Sequence, residues 1–219
     1  MKITFDEIRK NEQVNAYIRK ADESLIALGY TEHSFPHVTK VAMTASDILL
    51  KLGYSERDAE LARIAGYLHD IGNVINRIDH AQSGAVMAFR ILDKMGAEAD
   101  DIATIVTAIG NHDESTAFPV NPIAAALIIA DKTDVRYTRV RNQDISSFDI
   151  HDRVNYSVKE SGIEIEKGSH IEMKIRLETK ICSVMDYFEI FMGRMILCRK
   201  ACEKLGVAFW LTVNGQRLI

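Results

Sequence analysis

Cysteine is scarce in this chain of 219 residues, and its three copies, Cys182, Cys198 and Cys202, all lie near the C-terminus. No two of them form a CxxC pair, and no further thiols lie elsewhere in the chain. The sequence therefore disfavours both a disulfide framework and a thiolate zinc site. This cysteine usage fits a reducing compartment, and we expect a cytoplasmic protein.

Long apolar runs and an excess of positive charge are also missing. The longest apolar run, residues 123–130, is far shorter than the roughly 20 residues that span a bilayer. The N-terminal residues MKITFDEIRKNEQV lack the apolar segment of a secretory signal. The formal net charge of -4 gives no basic field of the kind that binds nucleic acid or anionic lipid. We expect a soluble protein that acts on a small molecule rather than on a nucleic acid polymer or a membrane.

Apolar side chains recur at helical spacing through the first two thirds of the chain. Pro36 suits a helix start, and Ser55 with Asp58 forms a capping-box pattern at another. Gly53 and Gly72 stand where helices are predicted to end. The predicted helical segments are residues 4–28 (one helix or two), 37–53, 55–68, 80–96, 99–110 and 123–135.

The pattern changes near residue 149 to alternating apolar and polar residues, which is typical of strands. The predicted strands are residues 154–158, 163–165 and 171–177. A long helix, residues 181–205, follows; its Met and aromatic side chains are interpreted as core, and Asn214-Gly215 predicts a terminal hairpin turn. We predict a mainly α fold, with a helical domain at 1–148 and a small α+β region at 149–219. The terminal hairpin offers an edge for a homodimer.

Six residues able to bind metal lie at or near the ends of the predicted helices: His37, His69, Asp70, His80, His112 and Asp131. Imidazoles combined with carboxylates suit Fe, Mn, Zn or Ni, whereas oxygen-only sets favour Mg or Ca. Singly, each histidine is equally well explained as an ordinary residue at a helix end. Asp131 lies in an apolar helix, where a carboxylate is costly unless it is paired or binds metal; an N-cap or an ion pair with Lys132 or Arg136 is the alternative. Their joint order favours a metal site, while His33 is assigned a surface or supporting role.

The segments FPHVTKVA, AGYLHDIGN, DHAQSGAV, IGNHDE and LIIADKTDV, which cover about residues 35–134, resemble the HD superfamily of metal-dependent phosphohydrolases, named for its tandem His-Asp. The resemblance implies a helical HD-type bundle and a first metal held by His37, His69, Asp70 and Asp131. His80 and His112 match the subset with two metals, in which Asp70 would bridge the two ions.

The chain also departs from patterns in this superfamily. Asn73 replaces the lysine that often follows HDIG and to which an acid or phosphate-anchor role is attributed. Asp113 stands where a second histidine often occurs, and no Gly-Tyr-Pro follows, which argues against cyclic di-GMP cleavage. The acidic pair of the guanosine-tetraphosphate hydrolases is absent. The ligand order is similar to that of the branch that cleaves diadenosine tetraphosphate, although the interval from Asp70 to His80 is short.

The resemblance implies cleavage of a phosphoester or phosphoanhydride in a nucleotide or other small phosphorylated compound. Two divalent transition metal ions would convert a shared water molecule to a hydroxide nucleophile and clamp the phosphoryl oxygens. Asp70 and Asp131 are the predicted catalytic residues. Two alternatives stay open: a regulatory module that keeps its metals but has lost turnover, and a di-iron oxygenase.

Basic residues are needed for phosphate groups beyond the reach of the metals. Lys132, Arg136 and Arg139 share a helical face by their i, i+4, i+7 spacing. The alternative is a solvated face that pairs with Asp134 and Asp144. The predicted phosphate-binding residues are Arg77, Lys132, Arg136 and Arg139.

Overall fold

Helices form the first two thirds of the protein in the computed structural model, which describes residues 1–142 and 144–219. They are α1 (Phe5–Lys10), α2 (Glu12–Ala27), α3 (Phe35–Leu52), α4 (Glu56–Leu68), α5 (His80–Lys94), α6 (Ala99–Gly110) and α7 (Pro122–Lys132). The first predicted helical segment is two helices, because Asn11 interrupts it and caps α2 with its side chain.

Local sequence signals set several of these bounds. Ser55 and Asp58 form the expected capping box at the start of α4. Pro36 lies in the first turn of α3, where its missing N–H costs no hydrogen bond. Gly53 ends α3 with a φ of 94°, a left-handed conformation that glycine adopts without steric strain.

The C-terminal region combines helices with a small sheet. Its elements are α8 (Ile150–Ser157), β1 (Val158–Glu166), β2 (His170–Leu177), α9 (Val184–Lys204), β3 (Ala208–Val213) and β4 (Gln216–Arg217). The sheet order is β1-β2-β3-β4. The β1–β2 and β3–β4 pairs are antiparallel, whereas β2 and β3 are parallel and are connected through α9. The Asn214-Gly215 turn joins β3 to β4 as predicted, with φ values of 50° and 82°.

One strand prediction was wrong. Val154 and Tyr156 belong to α8, and the strand begins only at Val158. Asp149 caps this helix by accepting a hydrogen bond from the N–H of Asp152, and Val154 and Ser157 are buried at a helical spacing of three. An alternation over only five residues fits a short amphipathic helix as well as a strand.

Apolar packing continues from the helices into the C-terminal region. One cluster of buried side chains extends from Ile3 to Val213 and includes nearly every residue of α7. Helix α9 packs against α7 on one side and against β2 and β3 on the other. The fold is therefore mainly α with a small α+β part, as predicted, while the boundary proposed at residue 148 stays a prediction. None of the helices in the described residues is long and apolar enough to cross a membrane.

Candidate metal centre

The ends of five helices meet at one point inside the molecule. His37 lies in the first turn of α3, His69 and Asp70 follow α4, and His80 is the first residue of α5. His112 follows α6, and Asp131 lies in the last turn of α7. The structure thus brings together all six predicted ligands, in three overlapping trios whose ligand atoms lie within 4.8 Å of one another.

The four histidines present the same ring nitrogen to this cluster. Each Nδ1 faces a hydrogen-bond acceptor, so Nδ1 carries the proton and a neutral ring exposes the lone pair of Nε2. The acceptors are the Asp134 carboxylate for His37 (2.8 Å), Gly66 O for His69 (2.8 Å), Arg77 O for His80 (3.0 Å) and Ile109 O for His112 (2.6 Å). The protein's own hydrogen bonds therefore orient the four imidazoles as metal ligands.

Asp70 lies between two groups of these nitrogens. Its Oδ2 is 3.0 Å from His69 Nε2 and 3.6 Å from His37 Nε2, whereas its Oδ1 is 3.5 Å from His80 Nε2. His80 Nε2 in turn lies 3.2 Å from His112 Nε2. We call His37, His69 and Asp131 the first ligand set and His80 and His112 the second ligand set, with Asp70 between them.

Several ligand atoms of the cluster lack a hydrogen-bond partner among the described residues. In the part of the chain that the structure describes, the buried atoms His37 Nε2, His69 Nε2 and Asp70 Oδ2 make no hydrogen bond. Unpaired buried polar atoms are rare, because each loses its hydration without compensation. Lone pairs of two imidazoles that face each other at 3.2 Å also repel unless positive charge lies between them. One cation beside His37, His69 and Asp70 and another between His80 and His112 would compensate these atoms. The residues therefore fit a metal centre.

Asp131 has two roles in this arrangement. Its Oδ1 lies 3.4 Å from His37 Nε2 and 3.8 Å from His69 Nε2. Its Oδ2 forms an ion pair with Lys132 Nζ at 2.6 Å. The alternative considered from the sequence, a pair with Lys132, therefore exists beside the cluster contact, because the two oxygens face different neighbours.

The electrostatics of the cluster favour bound cations. Burial by itself would raise the pKa of Asp70, but the contact with His69 holds that pKa well below its ordinary value. Burial and the charge of His69 lower the pKa of His112 to about 3. Burial would also lower the pKa of His69, yet the charge of Asp70 raises it overall. Ionised carboxylates and a neutral His112 are the states that bind metal, and His69 Nε2 attracts positive charge.

Gly72 and Asn73 of the His-Asp turn hold the two ligand sets together. A Cβ at Gly72 would lie 2.0 Å from the carbonyl oxygen of His80, so only glycine allows α5 to begin against this turn. Asn73 is buried and donates from Nδ2 to Asp70 Oδ1 at 3.0 Å. Asn73, which replaces the usual lysine, thus orients Asp70.

A cavity of about 390 Å³ opens beside the cluster, a volume typical of small-molecule sites. Arg77, Lys132 and Arg139 line it, while their contact with a phosphate group stays a prediction. Arg136 is not among the described lining residues; it pairs with Asp134 and Glu32, so the alternative of pairing with Asp134 holds for Arg136.

The predicted common face of the basic residues was wrong. Helix α7 ends at Lys132, and Arg139 lies in a separate 3-10 turn. Thr133 is the C-cap of α7, and both its backbone N–H, at 3.1 Å, and its hydroxyl, at 2.7 Å, donate to Ile129 O. The relative positions of Lys132, Arg136 and Arg139 therefore do not follow from the spacing of residues along one helix.

Some residues of the cavity wall were missed in the sequence. The wall also includes Tyr30 and His33, polar residues of α8 and two residues of α9, Phe191 and Arg194. His33 was assigned a surface or supporting role, but it faces the cavity with its ring centroid 5.4 Å from that of His37. Helix α9 was interpreted only as core. Its apolar pattern gave no signal for Arg194, whose position depends on how α9 packs against α7.

Comparison with known proteins shows the family to which the chain belongs. The family model of the HD domain matches residues 34–190, and this chain belongs to the HD domain family. The uncharacterized protein MJ1020 of Methanocaldococcus jannaschii is 26% identical over 212 residues, which cover 86% of this chain and 80% of that protein. A crystal structure of a predicted HD superfamily hydrolase from an uncultured Thermotogales bacterium is 25% identical, with a TM-score of 0.44 over 57% of this chain and 67% of that one.

Proposed function

We propose that this protein is a metal-dependent phosphohydrolase that cleaves a phosphoester or phosphoanhydride of a nucleotide or other small phosphorylated compound. The observation that carries the proposal is the position of Asp70, whose two oxygens face different imidazole groups inside a buried cluster. A carboxylate placed in this way can bridge two cations, and paired cations are a recurrent solution for phosphoryl transfer to water. The proposed setting is the cytoplasm, with a homodimer formed through the terminal hairpin.

Each of the two ligand sets would hold one ion. His37, His69 and Asp131 would hold one ion, His80 and His112 the other, and Asp70 would contact both. The donor set suits Fe, Mn, Zn or Ni. Two such ions, when bound, lower the pKa of a water molecule and neutralise negative charge on the phosphoryl oxygens.

The residues of the chain provide the surroundings for that chemistry. Lys132 holds Oδ2 of Asp131, which leaves Oδ1 directed towards the histidines of the first ligand set. Asn73 orients Asp70 by donating a hydrogen bond from Nδ2 to its Oδ1. Arg77 and Arg139 lie in the cavity wall and bring positive charge close to where a phosphate would enter. Asp70 and Asp131 are the proposed catalytic residues, because they would contact the ions that activate the water.

The first test is metal stoichiometry by elemental analysis of protein purified without chelator, beside hydrolysis of p-nitrophenyl phosphate and a panel of nucleotides. We expect about two transition metal ions per chain. Asp70→Ala should lose most of this metal and all hydrolysis, because both ligand sets lose their shared carboxylate. Asp93→Ala, which removes an exposed carboxylate of α5, is the matched control and should retain both properties.

The possible outcomes separate the alternatives. Metal without hydrolysis of any substrate would favour a regulatory module, and consumption of oxygen by reduced protein would favour an oxygenase. Absence of metal after reconstitution with Mn or Fe would overturn the proposal.

A further inference from the structure

The basic side chains around the cavity differ in how many of their donors are already used. Lys132 is almost fully buried and pairs with two carboxylates, at 2.6 and 2.9 Å. Arg139 donates from Nε and Nη1 to the backbone carbonyls of Glu32 and Asp134. Lys132 is therefore committed to the protein itself, and the nearly buried Arg139 is held in place by two backbone carbonyls. Among the cavity arginines, Arg194 uses the fewest donors on the residues that the structure describes: it pairs through Nε alone, whereas Arg77 and Arg139 each make two polar contacts.

Arg194 is held in a fixed position from two sides. Its Nε lies 2.5 Å from Glu114 Oε1, and its guanidinium carbon lies 4.6 Å from the centre of the buried Phe191 ring. Neither Nη atom of Arg194 makes a hydrogen bond to any other residue that the structure describes. A planar guanidinium that is stacked on an aromatic ring and engaged at one edge is well suited to binding a phosphoryl group through two parallel hydrogen bonds.

Arg77 is held in a similar way at another part of the wall. Its Nη1 is 3.3 Å from Asn73 Oδ1, and its guanidinium carbon lies 5.4 Å from the centre of the Tyr30 ring. Nη1 is also 3.4 Å from Nε2 of His80, so Arg77 lies beside the second ligand set.

The two arginines are linked to different carboxylates of the cluster. Asn73, which holds Arg77, donates to Asp70. Glu114, which holds Arg194, is joined to Asp131 through Lys132. The cavity therefore has one oriented guanidinium beside the second ligand set and another on the Asp131 side of the first.

We propose that Arg194 binds a second phosphoryl group of the substrate, so that the bond cleaved is a phosphoanhydride. This inference rests on the proposed function and narrows its substrate class. The metal ions and Arg77 would neutralise the phosphoryl group that is attacked, and a second oriented guanidinium is useful when the substrate carries a further phosphate. In the reaction, water oxygen forms a bond to one phosphorus atom. The bond from that atom to the bridging oxygen breaks, the bridging oxygen leaves with the electron pair, and a water proton passes to the departing phosphate or to solvent.

The inference assigns a function to the C-terminal region. Arg194 and Phe191 belong to α9, which the sequence pattern indicated only as core. Because α9 packs directly against α7, a residue far along the chain from the His-Asp turn reaches the substrate cavity.

The test measures binding of orthophosphate and of pyrophosphate to the metal-loaded chain of 219 residues by calorimetry. Metal content is determined before and after each titration, so that chelation by pyrophosphate is not counted as binding. The variants are Arg194→Met and Arg194→Lys, which keeps a positive charge beside Glu114 if the first variant folds poorly. Arg199→Met is the matched control, because Arg199 is an exposed arginine of the same helix, 3.9 Å from Glu203.

We expect the wild type to bind pyrophosphate more tightly than orthophosphate. Arg194→Met should weaken pyrophosphate binding by about tenfold or more, the usual effect of losing charged hydrogen bonds, and orthophosphate binding much less. Arg194→Lys should show a smaller loss in the same direction, and Arg199→Met none.

Unchanged pyrophosphate binding in both Arg194 variants would overturn the inference and leave the proposed function standing. Equal losses for both ligands would overturn the phosphoanhydride assignment. A metal-loaded wild type that binds neither ligand would contradict the proposed function as well.

Discussion

The two ligand sets each contain two histidines but differ in their carboxylates and in their surroundings. The first set has Asp131 in addition to Asp70, and its His37 is oriented by the carboxylate of Asp134. The second set shares only Asp70, and its histidines are oriented by backbone carbonyls. Negative charge near a ligand and a carboxylate behind an imidazole both strengthen cation binding. We therefore expect the first set to bind its ion more tightly than the second.

The largest effect should come from separating the two sets. Gly72→Ala would place a methyl group 2.0 Å from the carbonyl oxygen of His80, so the start of α5 would have to move away from Asp70. We expect a loss of at least about 2 kcal/mol in the free energy of unfolding, measured with urea, together with loss of the second ion.

Gly193→Ala on α9 is the control for Gly72→Ala, because its Cβ would meet no atom within 4 Å. That substitution should leave stability unchanged or raise it by up to about 1 kcal/mol. If Gly72→Ala behaves like Gly193→Ala, the close packing at the His-Asp turn does not hold the two sets together.

Removal of one imidazole should affect a single ion. His80→Ala takes away half of the second ligand set and leaves His37, His69 and Asp131 intact, so the metal content should fall from about two to about one per chain. Elemental analysis measures this change, with His170→Ala on β2 as the control that keeps both ions. Loss of both ions in His80→Ala would show that the sets do not bind independently.

Removal of the negative charge that faces His37 Nδ1 should weaken metal binding by the first ligand set only. Asp134→Asn keeps the size of the side chain but removes the carboxylate that faces His37 Nδ1 at 2.8 Å. Loss of such a partner typically lowers metal affinity about 10- to 100-fold. A metal titration that resolves two steps should show this loss in the tighter step and little change in the weaker one. An equal change in both steps would contradict the assignment of Asp134 to the first set.

The sequence predicted those parts of the site that depend on local structure. Pro36 marks the helix start at His37, Gly72 follows His69, and Gly110 ends α6 before His112, whereas the residue before His80 makes no side-chain cap. The polar wall contributed by α8 and the position of Arg194 on α9 were not predictable, because they depend on packing between elements distant in the chain. The strand predicted at 154–158 was wrong over residues 154–157 for a related reason, because a short period-two pattern does not show which surface of the protein a segment will cover.

The smallest effect should follow from the outermost residue that supports the first set. Arg136 donates from Nε to Asp134 Oδ1 at 2.8 Å and is partly exposed to solvent, so it can act on the cluster only through Asp134 and His37. A partly exposed ion pair contributes at most about 1 kcal/mol, and Arg136→Ala should therefore weaken the tighter metal step by less than about fivefold. The KM for a phosphorylated substrate should stay the same, because Arg136 is not among the described residues of the cavity wall. A raised KM with unchanged metal affinity would instead restore Arg136 to the phosphate-binding role predicted from its sequence position.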